Sequence, residues 1–381
     1  MPHHLDTVPF SGIIRIRDMM YAVKDPFRLD QGDVSFDAPE TVKRAMHRAI
    51  DENRSHYVQT TGIPQLLDRL VAKLRSVNGI PVAGPDEVLV TTGGIHAVYI
   101  ACQALLEPDD EVIVPDPEWP PCMGNVRAAR AIPVGCPLHE RLGWRYAIDE
   151  LQATITPRTK AIYINSPHNP TGGVLTRDDV TAIANLCREH NLWLISDECY
   201  DQITFGAEHV SPARFDTEGR VLSCFSFSKT YAMTGMRVGY VVAPPAAAGP
   251  LATMQEPVIA CVNAPAQHAA LAALEGPQDI VEEMRDAYRS RRDAAAAQLD
   301  AAGFSYLFPE GAFYLWIDVS PVCGGDVKTW ALELLRAHGV ALAPGTAFGP
   351  RGEGWARVSL ATATDDLLEG LDRITRSGVP A

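Results

Sequence analysis

Strand and helix patterns alternate from about Glu87 to Val242, and this alternation constrains the fold more than any other feature of the chain. Glu87-Val88-Leu89-Val90-Thr91 reads as a strand, and apolar residues at Ile95, Val98, Tyr99, Cys102, Leu105 and Leu106 then recur at helical spacing. Lys160 to Ile164 and Leu192 to Ser196 are short apolar runs of the buried-strand type. The alternation predicts an α/β architecture, a mostly parallel, doubly wound sheet covered by helices on both faces. Ligands of such sheets sit beyond the carboxyl ends of the strands. Ala243 to Pro250, rich in Ala and Pro, reads as a loop, and the stretch near Val281 to Ala302 as a long helix leading to a smaller α+β domain. That domain would collect Phe313 to Asp318, Val327 to Ala337, Trp355 to Leu360 and Asp365 to Ile374 together with N-terminal residues. A chain of 381 residues exceeds one ordinary core. The expected division is an N-terminal segment 1–45 packing with the small domain, a large domain 46–284, and a small C-terminal domain 285–381.

A net charge of −14 argues against a nucleic-acid surface. The eight cysteines show neither a C-x-x-C pair nor metal-ligand spacing, so they read as reduced thiols of a cytoplasmic protein that holds no metal. Met1 to Phe10 has no basic start followed by an apolar core, and no apolar run is long enough to cross a bilayer.

The segment Ser226-Phe227-Ser228-Lys229-Thr230 through Gly235-Met236-Arg237-Val238-Gly239 carries the chemistry. Lysine forms Schiff bases with carbonyl compounds. Arginine is a forked, permanently charged phosphate clamp, and the hydroxyls of Ser226 and Ser228 add donors to phosphate oxygens. Pyridoxal 5'-phosphate asks for both chemistries at this separation. Thr92-Gly93-Gly94 lies between a strand and a helix start, where free amides and the helix dipole suit an anion. Asn165-Ser166-Pro167-His168-Asn169-Pro170-Thr171-Gly172 is a forced turn after a strand, and Asp197-Glu198-Cys199-Tyr200 ends the next one. Arg357 stands inside the apolar run Trp355 to Ala361, where a guanidinium is costly unless it meets an anion.

In their order these motifs resemble the class I/II aminotransferases of the aspartate aminotransferase superfamily, fold type I, over about Gly12 to Ile374. The resemblance implies a pyridoxal-phosphate-dependent transaminase that moves an amino group between an L-amino acid and a 2-oxo acid, with Lys229 as the Schiff-base lysine. Asp197 would pair with the pyridine nitrogen, Asn169 and Tyr200 would donate to the phenolic oxygen, and Trp119 would stack on the ring. Gly93, Gly94, Ile95, Ser226, Ser228 and Arg237 would line the phosphate. Arg357 would fork onto the substrate carboxylate, with Gly32, Ile13, Trp119 and Asn169 beside it. Tyr57 would reach the phosphate of a second copy, making a homodimer with shared sites. Asp33-Val34 stands where a Glu-Pro pair is usual.

Ordinary alternatives are an N-cap or surface acid at Asp197, a structural salt bridge at Arg357, and core or surface aromatics at Trp119 and Tyr57. At the level of function they are a β-lyase on the same scaffold, a non-catalytic cofactor-binding protein, and a nucleotide-binding doubly wound protein; this last lacks a G-x-G-x-x-G opening. In the bacterial aspartate branch of the resembling family a lysine commonly follows the Gly pair. Ile95 stands there, and Gly12 and Ile13 bring no charge, so an apolar or aromatic donor is expected over aspartate unless Arg15 or Arg17 swings in.

Overall fold

The computed structural model describes residues 19–21 and 23–377; Gly12, Ile13, Arg15 and Arg17 lie outside them. Its central element is an eight-stranded sheet. In spatial order the strands are Val88–Thr91, Gly239–Val242, Val221–Ser226, Trp193–Asp197, Thr159–Asn165, Glu111–Asp116, Ile132–His139 and Arg145–Tyr146. The five strands from Val221–Ser226 to Ile132–His139 run parallel, and Gly239–Val242 is antiparallel to both its neighbours. Alternate residues serve two cores. Val90, Ile113, Ile162, Ile164, Leu194 and Phe225 face the helices Pro64–Lys73, Arg177–Glu189 and Ala264–Glu275. Leu89, Val112, Val114, Tyr163, Ile195 and Cys224 face Gly94–Leu105, Pro120–Ala128 and Pro245–Ile259. With both faces covered, the strands read as continuous apolar runs rather than alternating ones.

Local chemistry sets several helix starts. Thr176 and Asp179 form a reciprocal capping box ahead of Arg177–Glu189, and Asp326 caps Val327–His338 by accepting from the Thr329 amide. The stretch expected as a loop at Ala243 to Pro250 is instead the start of the helix Pro245–Ile259. Pro245 occupies the first helical position, where its fixed φ helps and its missing N–H costs nothing. Ala246, Ala247 and Ala248 favour helix, and Ala247 and Leu251 are fully buried against the sheet. That packing outweighs the internal Pro250.

A second sheet is antiparallel, in the order Tyr306–Leu307, Tyr314–Asp318, Trp355–Ser359, Ala343–Pro344. Near it Phe27–Arg28 pairs in parallel with Val340–Ala341, so an N-terminal segment joins the C-terminal part of the chain. The helices Asp279–Ala302, Val327–His338 and Thr364–Arg376 cover this region, with Tyr288, Leu299, Leu335, Leu367 and Leu371 in its core. Arg357 lies in the strand Trp355–Ser359.

Candidate active site

Three parallel strands end side by side at Asn165, Asp197 and Ser226, and the next residues surround a cavity of about 400 Å³. Gly32, Gly94, Ile95, Trp119, Asn169, Asp197, Tyr200, Ser226, Ser228, Lys229, Arg237 and Arg357, all singled out in the sequence, line it. Gly93 adjoins it through Arg237, Ile13 lies outside the described residues, and Tyr57 is away from it, 88% exposed.

The floor at one end is an anion cradle. Ser226 caps the four-residue helix Phe227–Thr230 by accepting from the Ser228 amide at 3.1 Å, which fixes Lys229 one turn beyond a buried strand. Arg237 adopts φ 56° and folds back, its Nη1 donating to the Thr234 carbonyl at 2.8 Å and to Ser228 Oγ at 3.4 Å. Gly93 has φ 78°, and a Cβ on it would stand 2.4 Å from Arg237 Nη2. A Cβ on Gly94 would meet Cys199 Sγ at 2.4 Å. The positive φ of Gly93 favours glycine there and lets the Arg237 guanidinium lie against the start of Gly94–Leu105, and the first amides of a helix have no partner within it.

Lys229 Nζ donates to the Gly32 carbonyl, across 197 residues of sequence. Loss of water lowers its pKa from 10.5 to about 8; Asp33 and Cys199 oppose the shift, and Arg357 and Arg237 add to it. Asp197 is 5% exposed. Its Oδ2 accepts from Tyr163 Oη at 3.1 Å and its Oδ1 from the Cys199 amide at 3.1 Å. Burial raises its pKa, partly offset by those hydrogen bonds. Among the described residues no cation pairs with it. The Asn169 amide donates to Asn165 Oδ1 at 2.8 Å, and its own Oδ1 accepts from Arg357 Nη1 at 2.8 Å, which leaves the Asn169 Nδ2 free to donate. Arg357 Nη2 donates to the Asp30 carbonyl at 2.9 Å. Arg357 is 2% exposed, and among the described residues it meets no carboxylate and its Nε has no partner. The salt-bridge alternative therefore has no acid to stand on.

The sequence reading missed several members. Tyr314, Asn165 and Cys199 also line the cavity. Behind Trp119, the fully buried Glu118 accepts from the Trp119 amide at 2.7 Å and meets His168 Nε2 at 3.2 Å. Burial raises the Glu118 carboxyl well above its ordinary value and lowers His168 to about 3. Strand-end position marked Asn165; nothing local marked Glu118 or Tyr314.

Residues 24–374 match the family described as aminotransferase class I and II. The chain belongs to the class I and II aminotransferase family. It is 38% identical to a probable aspartate/prephenate aminotransferase of Aquifex aeolicus, over 91% of this chain and 89% of that protein. It is 33% identical to aromatic-amino-acid aminotransferase 2 of Thermococcus litoralis, over 98% and 96%. Aspartate aminotransferase from Thermus thermophilus with maleate superposes with a TM-score of 0.94 at 35% identity, covering 99% of each chain. This class I and II aminotransferase is a pyridoxal-phosphate-dependent transaminase acting on an amino acid and a 2-oxo acid. The donor set fits that cofactor. A cradle of two glycines and Arg237 suits its phosphate, a half-buried amine suits its aldehyde, and a buried carboxylate without a cation suits its ring nitrogen. Among the described residues no helix is long and apolar enough to cross a membrane.

Proposed function

We propose that this aminotransferase prefers an amino donor with an apolar or aromatic side chain over aspartate. One observation carries the reading: among the described residues the cavity is lined by three cations, Lys229, Arg237 and Arg357, and each has another task. Ile95, Trp119 and Pro121 are apolar members of the cavity's lining. A second carboxylate buried there would lack a partner, at a cost of several kcal/mol. The name of the Aquifex aeolicus relative supports aspartate instead, so the comparison must be made directly. Measured kcat/KM should rank phenylalanine, leucine or methionine above aspartate. Ile95→Lys should raise the value for aspartate by roughly 10–100-fold, the worth of one hydrogen bond to a charged group. Aspartate winning by about tenfold or more, ~1.4 kcal/mol, would overturn the preference.

The same reading assigns roles within the site. When bound, the cofactor supplies an aldehyde that takes up the amino group and a ring that accepts the electron pair left at Cα. Arg357 binds the substrate α-carboxylate with both forks, and Gly32 covers it from the N-terminal side. Lys229 would hold the aldehyde, and its amine, when free, would carry the proton to and from the substrate Cα, which its lowered pKa suits near neutrality. Asp197 holds a proton on the ring nitrogen. Asn169 Nδ2 and Tyr200 Oη would donate to the phenolic oxygen, and Trp119 would pack on the ring. Gly93, Gly94, Ile95, Ser226, Ser228 and Arg237 hold the phosphate.

Three proposals complete the picture. A segment 1–45 and a small domain 285–381 close over a large domain 46–284 and exclude water. The active unit is a homodimer in which Tyr57 serves the second site; its 88% exposure leaves it available. The protein is cytoplasmic, in keeping with cysteines that are all free thiols.

A further inference from the structure

Tyr314 has no part in the roles above, yet it touches two groups that do. Its Oη lies 2.9 Å from Tyr200 Oη, with both rings buried and edge to face. The Arg357 guanidinium stands over its ring, 4.3 Å from the centroid. Sheet register makes this arrangement. Tyr314 pairs with Ser359 and Trp316 with Arg357, so Tyr314 and Arg357 are diagonal neighbours on adjacent strands, within reach for long side chains. Each phenol has one proton to give and lone pairs to accept with. A cation over the Tyr314 ring polarises its O–H as a donor.

We propose that Tyr314 is a positioning residue for both groups: its hydroxyl donates to the Tyr200 oxygen, leaving the Tyr200 proton to point into the cavity, while its ring face seats the Arg357 guanidinium. The proposal rests on the site reading given above. One side chain would thus align the donor to the cofactor's phenolic oxygen and the clamp for the substrate carboxylate. The two contacts are separable, because one uses the hydroxyl and the other the ring.

The test uses the cofactor-loaded enzyme and two variants. Tyr314→Phe deletes the hydroxyl and keeps the ring; Tyr314→Leu deletes both. Two quantities are read: the pH midpoint of the bound cofactor's absorbance change, and KM for whichever donor the parent uses best. In Tyr314→Phe the Tyr200 hydroxyl becomes a weaker donor and stabilises the deprotonated cofactor less. The midpoint should rise by roughly 0.3–1 pH unit, the scale of one neutral hydrogen bond, while KM stays within about twofold. Tyr314→Leu should show the same rise and, in addition, a KM increased by roughly tenfold, the scale of a desolvated cation–π contact. Because Tyr314 acts through Tyr200, Tyr200→Phe combined with Tyr314→Phe should titrate like Tyr200→Phe alone. A Tyr314→Phe midpoint equal to the parent's, or additive shifts in the double variant, overturns the proposal. Should the leucine variant not fold, the phenylalanine variant and the double variant decide. Absorbance that survives Lys229→Ala unchanged overturns the site reading and this proposal with it; Lys229-dependent absorbance that ignores Tyr314→Phe overturns this proposal alone.

Discussion

Lys229 stands beside two arginines in the cavity, half-buried and partly stripped of water, and this sets how cofactor-free protein takes up its cofactor. With a pKa of about 8 in place of 10.5, about a tenth of the amine is uncharged at pH 7, against about one part in 3,000 for an ordinary lysine. Only the uncharged amine attacks an aldehyde. The rate at which cofactor-free protein develops Lys229-dependent absorbance with pyridoxal phosphate should rise about tenfold per pH unit up to about pH 8 and then level off. A stopped-flow pH profile that keeps climbing beyond about pH 9.5 would show an ordinary lysine and remove the cause assigned here, loss of water. At the same scale, Asp197 was legible as a cavity residue from its place at a strand end and its order in the chain, after Asn169 and before Tyr200 and Lys229, whereas Glu118 was not. Its neighbours Trp119 and His168 are brought to it from 1 and 50 residues away, and only the second distance carries information.

Strands and glycines show what a segment's own sequence encodes. Gly239 opens the strand Gly239–Val242, and a Cβ there would stand 2.6 Å from the Gly93 carbonyl carbon and 2.7 Å from the Gly94 amide. Both contacts are backbone, so neither can swing aside. Gly239→Ala should lower stability by ~1–3 kcal/mol through overpacking and displace the turn that begins the helix Gly94–Leu105. Thermal unfolding of the cofactor-free protein and retention of cofactor on dialysis measure the two effects. A variant as stable as its parent, with cofactor retained, would mean that the two segments are not locked together. The parallel strands were readable because burial on both faces leaves an unbroken apolar run. The helix Pro245–Ile259 was not, because proline breaks most helices and its tolerance at the first position depends on where the helix begins. Tyr314 was invisible for another reason: its importance comes from a register between strands and a partner 114 residues away.

At the scale of the whole molecule, Tyr57 at 88% exposure, Ile50 at 52% and Val258 at 44% leave large apolar side chains in solvent. A second copy laid over such groups would bury them and bring Tyr57 to the neighbouring phosphate. Tyr57→Phe should weaken cofactor binding by about 0.5–1.5 kcal/mol, one hydrogen bond. Mixing Lys229→Ala subunits with Tyr57→Phe subunits should yield hybrids with one site carrying both defects and one carrying neither, so sites of parent-like cofactor affinity, absent from both variants alone, appear on mixing. Sedimentation of a fully active single chain would end the dimer proposal.

The order in which the chain is made gives the Arg357–Asp30 contact, spanning 327 residues, a further meaning. Arg357 leaves the ribosome 128 residues after Lys229. At roughly 5–20 residues per second that gap lasts roughly 6–26 s. Once Gly239–Val242 has followed, 13 residues after Lys229, all eight strands of the central sheet are synthesised, while the carboxylate clamp does not yet exist. A nascent chain in that interval carries the lysine that captures an aldehyde but not yet the Arg357 clamp for an amino acid, so cofactor loading can precede substrate binding in the life of each molecule.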